Sequence, residues 1–226
     1  MKKILILLAF LCVGSYSYAQ RPNHKTYYST GSEFIFSFPN VNNLEDEGTV
    51  MRFSAFFNPE IFIHHDLTKQ VGFFSGLTLR NVGFIIDIPE ELVEVPSQDV
   101  RKKIRTYNVG IPLALKFGAL DRFHMYGGYE LEFPINYKEK TFINESKEDK
   151  FNVWFSSRTT TFNHSFFVGF ETPYGTDIKF KYYVSNFFDD SYDRTLKSTS
   201  LRYSDFDVNV FYVSLSFRVY HFLHGM

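Results

Sequence analysis

The stretch Phe211–Tyr220 reads FYVSLSFRVY, and apolar and polar side chains alternate along it. The same alternation runs through Asp177–Ser185 (DIKFKYYVS) and Thr106–Phe117 (TYNVGIPLALKF). Successive side chains of a β-strand point to opposite faces, so a period of two predicts strands with one apolar and one polar face. These stretches indicate a chain dominated by β-structure.

Eight segments of this kind follow one another, and they are separated alternately by long polar stretches and short turns. The segments are 31–38, 50–64, 70–86, 104–118, 123–137, 161–172, 176–186 and 207–221. The long stretches are 39–49, 87–103, 138–160 and 187–206. An even strand number, with short turns at one end and long loops at the other, is typical of outer-membrane barrels. The sequence therefore predicts an all-β fold, an eight-stranded antiparallel up-and-down transmembrane β-barrel with short periplasmic turns and long extracellular loops.

The composition of the 226-residue chain excludes several other classes. Aromatic residues make up 19% and charged residues 22%, and the mean hydropathy is -0.18. Disordered chains contain few aromatic residues, and helical membrane bundles need long apolar runs, so neither class fits. A formal charge of -1 argues against a nucleic-acid binder, which depends on excess positive charge.

The N-terminus has the three parts of a secretory signal peptide. It begins with Met1-Lys2-Lys3, continues through the apolar run Ile4–Val13, and ends in Ser17-Tyr18-Ala19, with small residues at -3 and -1. We predict cleavage after Ala19, with export to the outer membrane of a Gram-negative bacterium. The predicted division is a signal peptide at 1–19, an N-terminal periplasmic segment at 20–30 and the barrel domain at 31–226.

The polar faces of the strands would line the barrel interior if the apolar faces contact lipid. This lining holds six cations and six carboxylates: Arg52, Arg80, Lys116, Lys179, Lys181 and Arg218 against Glu33, Glu60, Glu130, Glu132, Glu171 and Asp177. An eight-stranded barrel is only wide enough for side chains to fill, and an unpaired buried charge costs roughly 3–5 kcal/mol. We therefore predict a closed, salt-bridged interior in which Lys116 and Arg218 neutralise Glu130 and Glu132. A bulge near Arg80–Val82 would turn some of these side chains to the other face of the strand.

Aromatic residues near strand ends are expected to form girdles at the level of the lipid headgroups. This set is Tyr107, Tyr129, Phe133, Tyr137, Tyr182, Tyr212 and Tyr220.

Most of the predicted mature chain resembles a known family, and the most specific match lies in one strand. The stretch Tyr107–Phe117 is similar to the fourth strand of the small outer-membrane β-barrel family of Bacteroidetes, also called porin-family or PorT-like, and His124–Tyr129 is similar to its next strand. The strand motif consists of Tyr107, Ile111, Pro112, Lys116 and Phe117. The resemblance implies an eight-stranded outer-membrane barrel with no catalytic motif to carry over, and one branch of that family supports protein secretion.

The sequence contains no phosphate-binding glycine loop, metal-binding helix or nucleophilic serine turn. We therefore predict no enzymatic activity, no cofactor and no metal site. Glu130 and Glu132 have the spacing of an acid–base pair, but neighbouring cations favour a structural role. The acidic residues near Asp189 are interpreted as a solvated loop tip.

The function predicted from these features is a structural or interaction role carried by the extracellular loops. The expected partners are outer-membrane lipid and lipopolysaccharide, together with a protein at the loops, and no nucleic acid. Three alternatives stay open: a narrow porin-like channel for small solutes, an accessory factor of secretion across the outer membrane, and a soluble periplasmic ligand-binding β-calyx. The calyx requires the apolar faces to point inward.

Overall fold

The computed structural model describes residues 26–41, 49–95 and 98–221. Strands account for most of this part of the chain, and two short 3₁₀ turns lie at Glu90–Leu92 and Tyr203–Asp205. The strands are β1 (Thr26–Val41), β2 (Thr49–Val50), β3 (Arg52–Ser54), β4 (Pro59–Asp66), β5 (Val71–Ile88), β6 (Val100–Gly118), β7 (His124–Ile143), β8 (Ser146–Trp154), β9 (Asn163–Glu171), β10 (Thr176–Tyr183) and β11 (Val208–His221).

Eight of these strands close into a ring. The order is β1, β4, β5, β6, β7, β9, β10 and β11, every neighbouring pair is antiparallel, and β11 pairs back to β1. This closing pair is continuous from Tyr28↔His221 to Val41↔Val208. The predicted eight-stranded up-and-down barrel is confirmed, and closure satisfies the backbone without leaving an edge strand.

The short connections lie at the same end of the barrel as Thr26 and His221, and the long ones lie at the other end. The predicted loop 138–160 is wrong for most of its length. β7 continues to Ile143, and β8 pairs back along it from Ser146 to Trp154. The hairpin forms because Lys138–Ile143 keeps a period of two, which its high charge conceals from a search for apolar alternation. β1 also begins at Thr26 rather than at residue 31, since the alternation of buried residues already includes Tyr27.

An apolar belt surrounds the outside of the barrel. On β6 the outward residues Val109, Ile111, Leu113, Leu115 and Phe117 are exposed, whereas the residues between them are buried. These positions cover nine residues, the length that a tilted strand needs to cross the hydrocarbon core. The barrel therefore presents an apolar surface outward at this level.

A β-bulge reverses the facing of β7 near its middle. Asn108 pairs with Pro134 but Tyr107 pairs with Asn136, so Ile135 has no partner on β6. Beyond this bulge the inward positions change from even to odd numbers, which turns Tyr137 into the interior. No bulge forms against β6 near Arg80–Val82, where the register is uninterrupted, but on the other side of β5 the pairing with β4 ends at Thr78.

The bulge explains one error in the predicted aromatic girdle, and strand facing explains two more. Tyr137, Tyr212 and Tyr220 are all buried inside the barrel. Tyr212 and Tyr220 occupy the same face of β11 as Arg218, so their rings cannot reach lipid.

The predicted signal peptide lies outside the described residues, and its cleavage stays a prediction. In the described part of the chain, no helix has the length and apolar character needed to cross a membrane.

Candidate functional site

The barrel interior is filled in three layers, of which the periplasmic one is aromatic. Tyr27 stacks on His64 at a centroid distance of 4.8 Å, and Phe62 lies 4.9 Å from Phe74. The ring of Tyr126 covers Gly169, where any side chain would collide with it. These rings close the periplasmic end by packing.

Lys116 belongs to this periplasmic layer and not to the centre of the barrel. Its ammonium pairs with Asp66 and donates to the Tyr27 hydroxyl at 2.9 Å. The prediction that Lys116 neutralises Glu130 and Glu132 is therefore wrong. Lys116 lies on the register level of Gly72, close to the periplasmic turn, and its side chain extends toward that end.

The middle layer is built from ion pairs. Arg80 contacts Glu33, and it also contacts Glu130 at 3.3 Å. Lys181 joins Glu130, at 2.6 Å, to Glu132. Lys179 adds a second cation to Glu33. Facing strands supply these partners, so the network links the walls of the barrel across its axis.

A second cluster surrounds Arg218, on the periplasmic side of the first. Its guanidinium lies 2.7 Å from Glu60, 2.7 Å from Glu171 and 3.3 Å from Asp177. Arg80 links the two clusters through Glu60 at 3.9 Å. The prediction placed Arg218 beside Glu130 and Glu132, and the structure instead pairs it with these three carboxylates.

The connected middle layer holds six carboxylates but four cations, because Lys116 and Arg52 lie elsewhere. Neutral donors stabilise several of these carboxylates. Glu130 accepts from Thr78, Glu132 from Asn108 and Tyr183, and Asp177 from Tyr126 and Ser216. Every one of the six is buried.

The extracellular layer is an apolar cap, which sequence reasoning missed. The inward residues of β5 change from Arg80 to Val82, Phe84, Ile86 and Ile88. Phe188, from the connection after β10, lies 6.1 Å from Phe84 and is fully buried. The sequence feature that indicates this cap is the set of large apolar residues in 187–206, which would be unusual in a solvated loop.

One buried ion pair lies within this cap. Lys102 pairs with Glu139 at 3.1 Å, and the hydroxyls of Tyr137 and Tyr203 donate to the same carboxylate at 2.7 and 2.6 Å. Burial raises the pKa of Tyr203 above its usual value, and the charge of Glu139 raises it further. The bulge in β7 brings Glu139 inward and so creates this site.

The extracellular connections bind one another across the top of the cap. Val93 forms a β-bridge with Thr199, and Ser200 donates its backbone N–H to Leu92 at 2.9 Å. Thr159 forms a bridge with Phe188. The connections after β5, β8 and β10 therefore form one packed surface.

A gap interrupts the barrel wall at the extracellular edge of the belt. β4 pairs with β5 only up to Glu60↔Thr78, and β2 resumes the pairing at Val50↔Ile85. Across this gap Arg52 donates to the backbone oxygen of Asn81 at 3.0 Å and to its side-chain oxygen at 2.6 Å. Arg52 is thus part of the wall and not of the interior network.

An open cleft of about 240 Å³ lies at this gap. It is lined by Arg52, Phe53, Ser54, Ala55, Phe56, Phe57, Asn81, Arg105 and Tyr107. Phe56 and Phe57 are among the most exposed apolar residues of the described chain, and Phe57 adopts a left-handed backbone conformation with φ 65°. Such a conformation is costly outside glycine and asparagine, which indicates that the surrounding contacts impose it.

The residues of the family-like strand motif divide between the two faces of β6. Ile111 and Phe117 lie in the lipid-facing belt, Tyr107 lines the cleft, and Pro112 and Lys116 point inward. The Pro112 carbonyl accepts a hydrogen bond from Ser75 at 2.7 Å. Within the described residues, no group of three or more histidine, cysteine or acidic side chains is arranged to hold a metal ion.

These features define the class of the protein: a small, internally filled β-barrel of the transmembrane type. Three solved structures have a similar fold: neisserial surface protein A, Ail (the attachment invasion locus protein of Yersinia pestis) and the outer membrane protein OprG of Pseudomonas aeruginosa. Their identities to this chain are 12%, 12% and 10%, and the TM-scores are 0.42, 0.34 and 0.35. The matches cover 85%, 85% and 86% of this chain, and 96%, 97% and 95% of theirs.

At these identities and TM-scores the likeness supports no statement about what the chain binds or does. No family model and no curated protein matches it.

Proposed function

We propose that the protein is a sealed outer-membrane barrel without enzymatic activity, which acts through its joined extracellular loops. The observation that carries the proposal is the filling of the interior by the aromatic layer, the ion-pair layer and the cap. A bare channel lined by charges would leave them hydrated and separate, whereas Lys181 contacts two carboxylates directly.

The size of one cavity inside the barrel supports the same conclusion. A cavity beside Tyr183, Phe187 and Val210 measures about 10 Å³. This is about the volume needed to hold one water molecule, and a solute pathway needs more. The proposal therefore favours a closed barrel over a porin-like channel.

The exposed belt supports a membrane location over a soluble calyx. Leu113 is 61% exposed on the outer face, while its neighbour Ala114 is buried inside. A calyx in water would have the opposite arrangement. We also propose that the chain is exported and belongs with the small Bacteroidetes barrels that its Tyr107–Phe117 strand resembles.

The proposal is tested by recovering the mature chain from fractionated cells and reconstituting it in planar bilayers. We expect outer-membrane recovery, a mobility on detergent gels that changes on boiling, and no unitary conductance steps. The matched variant Glu130→Gln should also be silent, because Thr78 and Arg80 still occupy the middle layer. Conductance steps in the wild type that change size in Glu130→Gln would establish a channel and overturn the proposal.

A further inference from the structure

The outer face of the barrel carries a column of cations directly above the apolar belt. Along β6 the outward residues change from Val109 to Tyr107 and then to Arg105, Lys103 and Arg101. Above the bulge, Lys138 and Lys140 of β7 have the same facing. The change from apolar to cationic side chains falls where hydrocarbon gives way to lipid headgroups.

Like charges oppose each other in this column. Arg105 is the register partner of Lys138, and Lys103 is the partner of Lys140. Directly opposed like charges destabilise an antiparallel pair. Among the described residues, none of these four side chains forms an ion pair with a carboxylate. The arrangement therefore favours the binding of an anion on this face.

The cleft at the wall gap brings the guanidinium of Arg52 close to this column. Arg52 and Arg105 line the same cleft, and Arg105 lies over the ring of Tyr107 at 5.4 Å. In the described chain Arg52 makes its hydrogen bonds to Asn81 and no ion pair. Asn81 uses two of the five N–H donors of Arg52, and the remaining donors, together with those of Arg105 in the same cleft, suit a phosphate group.

The size and walls of the cleft indicate the rest of the ligand. Its volume of about 240 Å³ is enough for a phosphate monoester. Phe56 and Phe57 stand exposed at its edge, 74% and 68%. Two exposed phenylalanines beside two arginines fit an amphiphile with a phosphate head and acyl chains. Free phosphate would make no favourable contact with the apolar rings.

We infer that Arg52 and Arg105, with Lys103, Lys138 and Lys140 beside them, form a binding site for the phosphate group of a glycolipid of the outer leaflet. The inference rests on the proposed membrane location. The cleft holds the phosphate between the two guanidiniums, and the acyl chains lie along the phenylalanines and the belt below. The column neutralises further anionic groups of the same headgroup layer.

The test uses the whole barrel in phosphatidylcholine nanodiscs containing either bisphosphorylated lipid A or dephosphorylated lipid A, with bound lipid counted by native mass spectrometry. We expect the wild type to prefer the phosphorylated lipid by at least about tenfold, the free-energy equivalent of one charge-assisted contact. Arg105→Gln should remove most of this preference. Its guanidinium contacts the ring of Tyr107 but makes no hydrogen bond or ion pair within the described chain, so we expect the variant to fold.

The matched control is Arg101→Gln. Arg101 has the same facing on the same strand, but it is already paired with Asp87 at 2.9 Å. It should keep the lipid preference within about twofold, since its charge is already compensated. An equal loss in Arg101→Gln and Arg105→Gln would reduce the site to a diffuse surface charge and overturn the inference.

Two further results would also overturn it. Equal retention of the two lipids by the wild type would exclude phosphate recognition, and displacement of lipid A by millimolar inorganic phosphate would assign the cleft to the free ion. Gel mobility before and after boiling is recorded for every sample. A correctly folded barrel without lipid preference refutes the site alone, while loss of membrane recovery refutes the proposed function.

Discussion

The ammonium of Lys181 lies 2.6 Å from Glu130 and also contacts Glu132, so one cation from β10 holds two carboxylates of β7 in the centre of the barrel. Arg80 is a second cation for both carboxylates, at 3.3 Å from Glu130 and 3.6 Å from Glu132, and Asn108 and Tyr183 also donate hydrogen bonds to Glu132. The contacts of Lys181 thus connect β10 to β7, two strands that are not adjacent in the ring.

Replacing this cation tests the energetic role of the network. We expect Lys181→Met to lower the free energy of unfolding by about 3 kcal/mol, because the buried Glu130 and Glu132 then share Arg80 as their one close cation among the described residues. The measurement is urea unfolding of the barrel in detergent micelles. The double variant Lys181→Met/Glu132→Gln should regain a large part of the loss, and a double variant as unstable as the single one would contradict the pairing.

Opposite facing of neighbouring residues on β6 gives a second test. Leu113→Arg places a charge in the middle of the belt and should cost about 2–4 kcal/mol. Ala114→Ser puts a hydroxyl into the aromatic layer beside Phe62 and Tyr126, where we expect a cost of about 1 kcal/mol. Folding yield into vesicles measures both. Equal effects would refute the facing of the strand.

The extracellular cap should be separable from the barrel. Phe188→Ala removes a fully buried ring that lies 5.4 Å from Tyr203 and 5.9 Å from Phe206, and we expect a local loss of about 3–5 kcal/mol. Segment 187–206 should then be cut rapidly by protease while the gel shift on boiling persists. The control Tyr174→Ala, in an exposed periplasmic turn, should leave protection unchanged.

The cap should also loosen in alkali. The pKa of Tyr203 is raised in the folded state, first by burial and then by Glu139, while an unfolded tyrosine ionises near about 10. Its contribution to stability is therefore complete below pH about 10 and declines as the pH rises from there toward the folded pKa.

Protease protection of segment 187–206, measured as a function of pH, checks this expectation. Tyr203→Phe removes the ionisable group and should flatten the alkaline decline, although it also loses the hydrogen bond to Glu139 at neutral pH. An unchanged decline in that variant would assign the alkaline sensitivity to another group.

The sequence predicted the strands in which apolar and polar residues alternate. It did not predict the strands in which the outward residues are charged. The strands at Phe211–Tyr220 and Thr106–Phe117 were predictable because each has an uninterrupted row of lipid-facing residues. The hairpin of β7 and β8 carries lysine on its outer face, and the same stretch reads as a loop. The wall gap at Arg52 could not be predicted from the sequence of one segment, because an interruption in pairing depends on how two strands align.

The sequence by itself determined the all-β class, the strand number and the inward placement of most charges, since a period of two couples each residue's polarity to its face. Partner choice inside the barrel was decided only by the tertiary structure. The bulge at Ile135 sends Glu139 inward, and strand stagger carries Lys116 to the periplasmic end and Arg218 to Glu60. Which carboxylate a cation meets depends on its height along the barrel axis, and that height follows from the register of the whole closed ring.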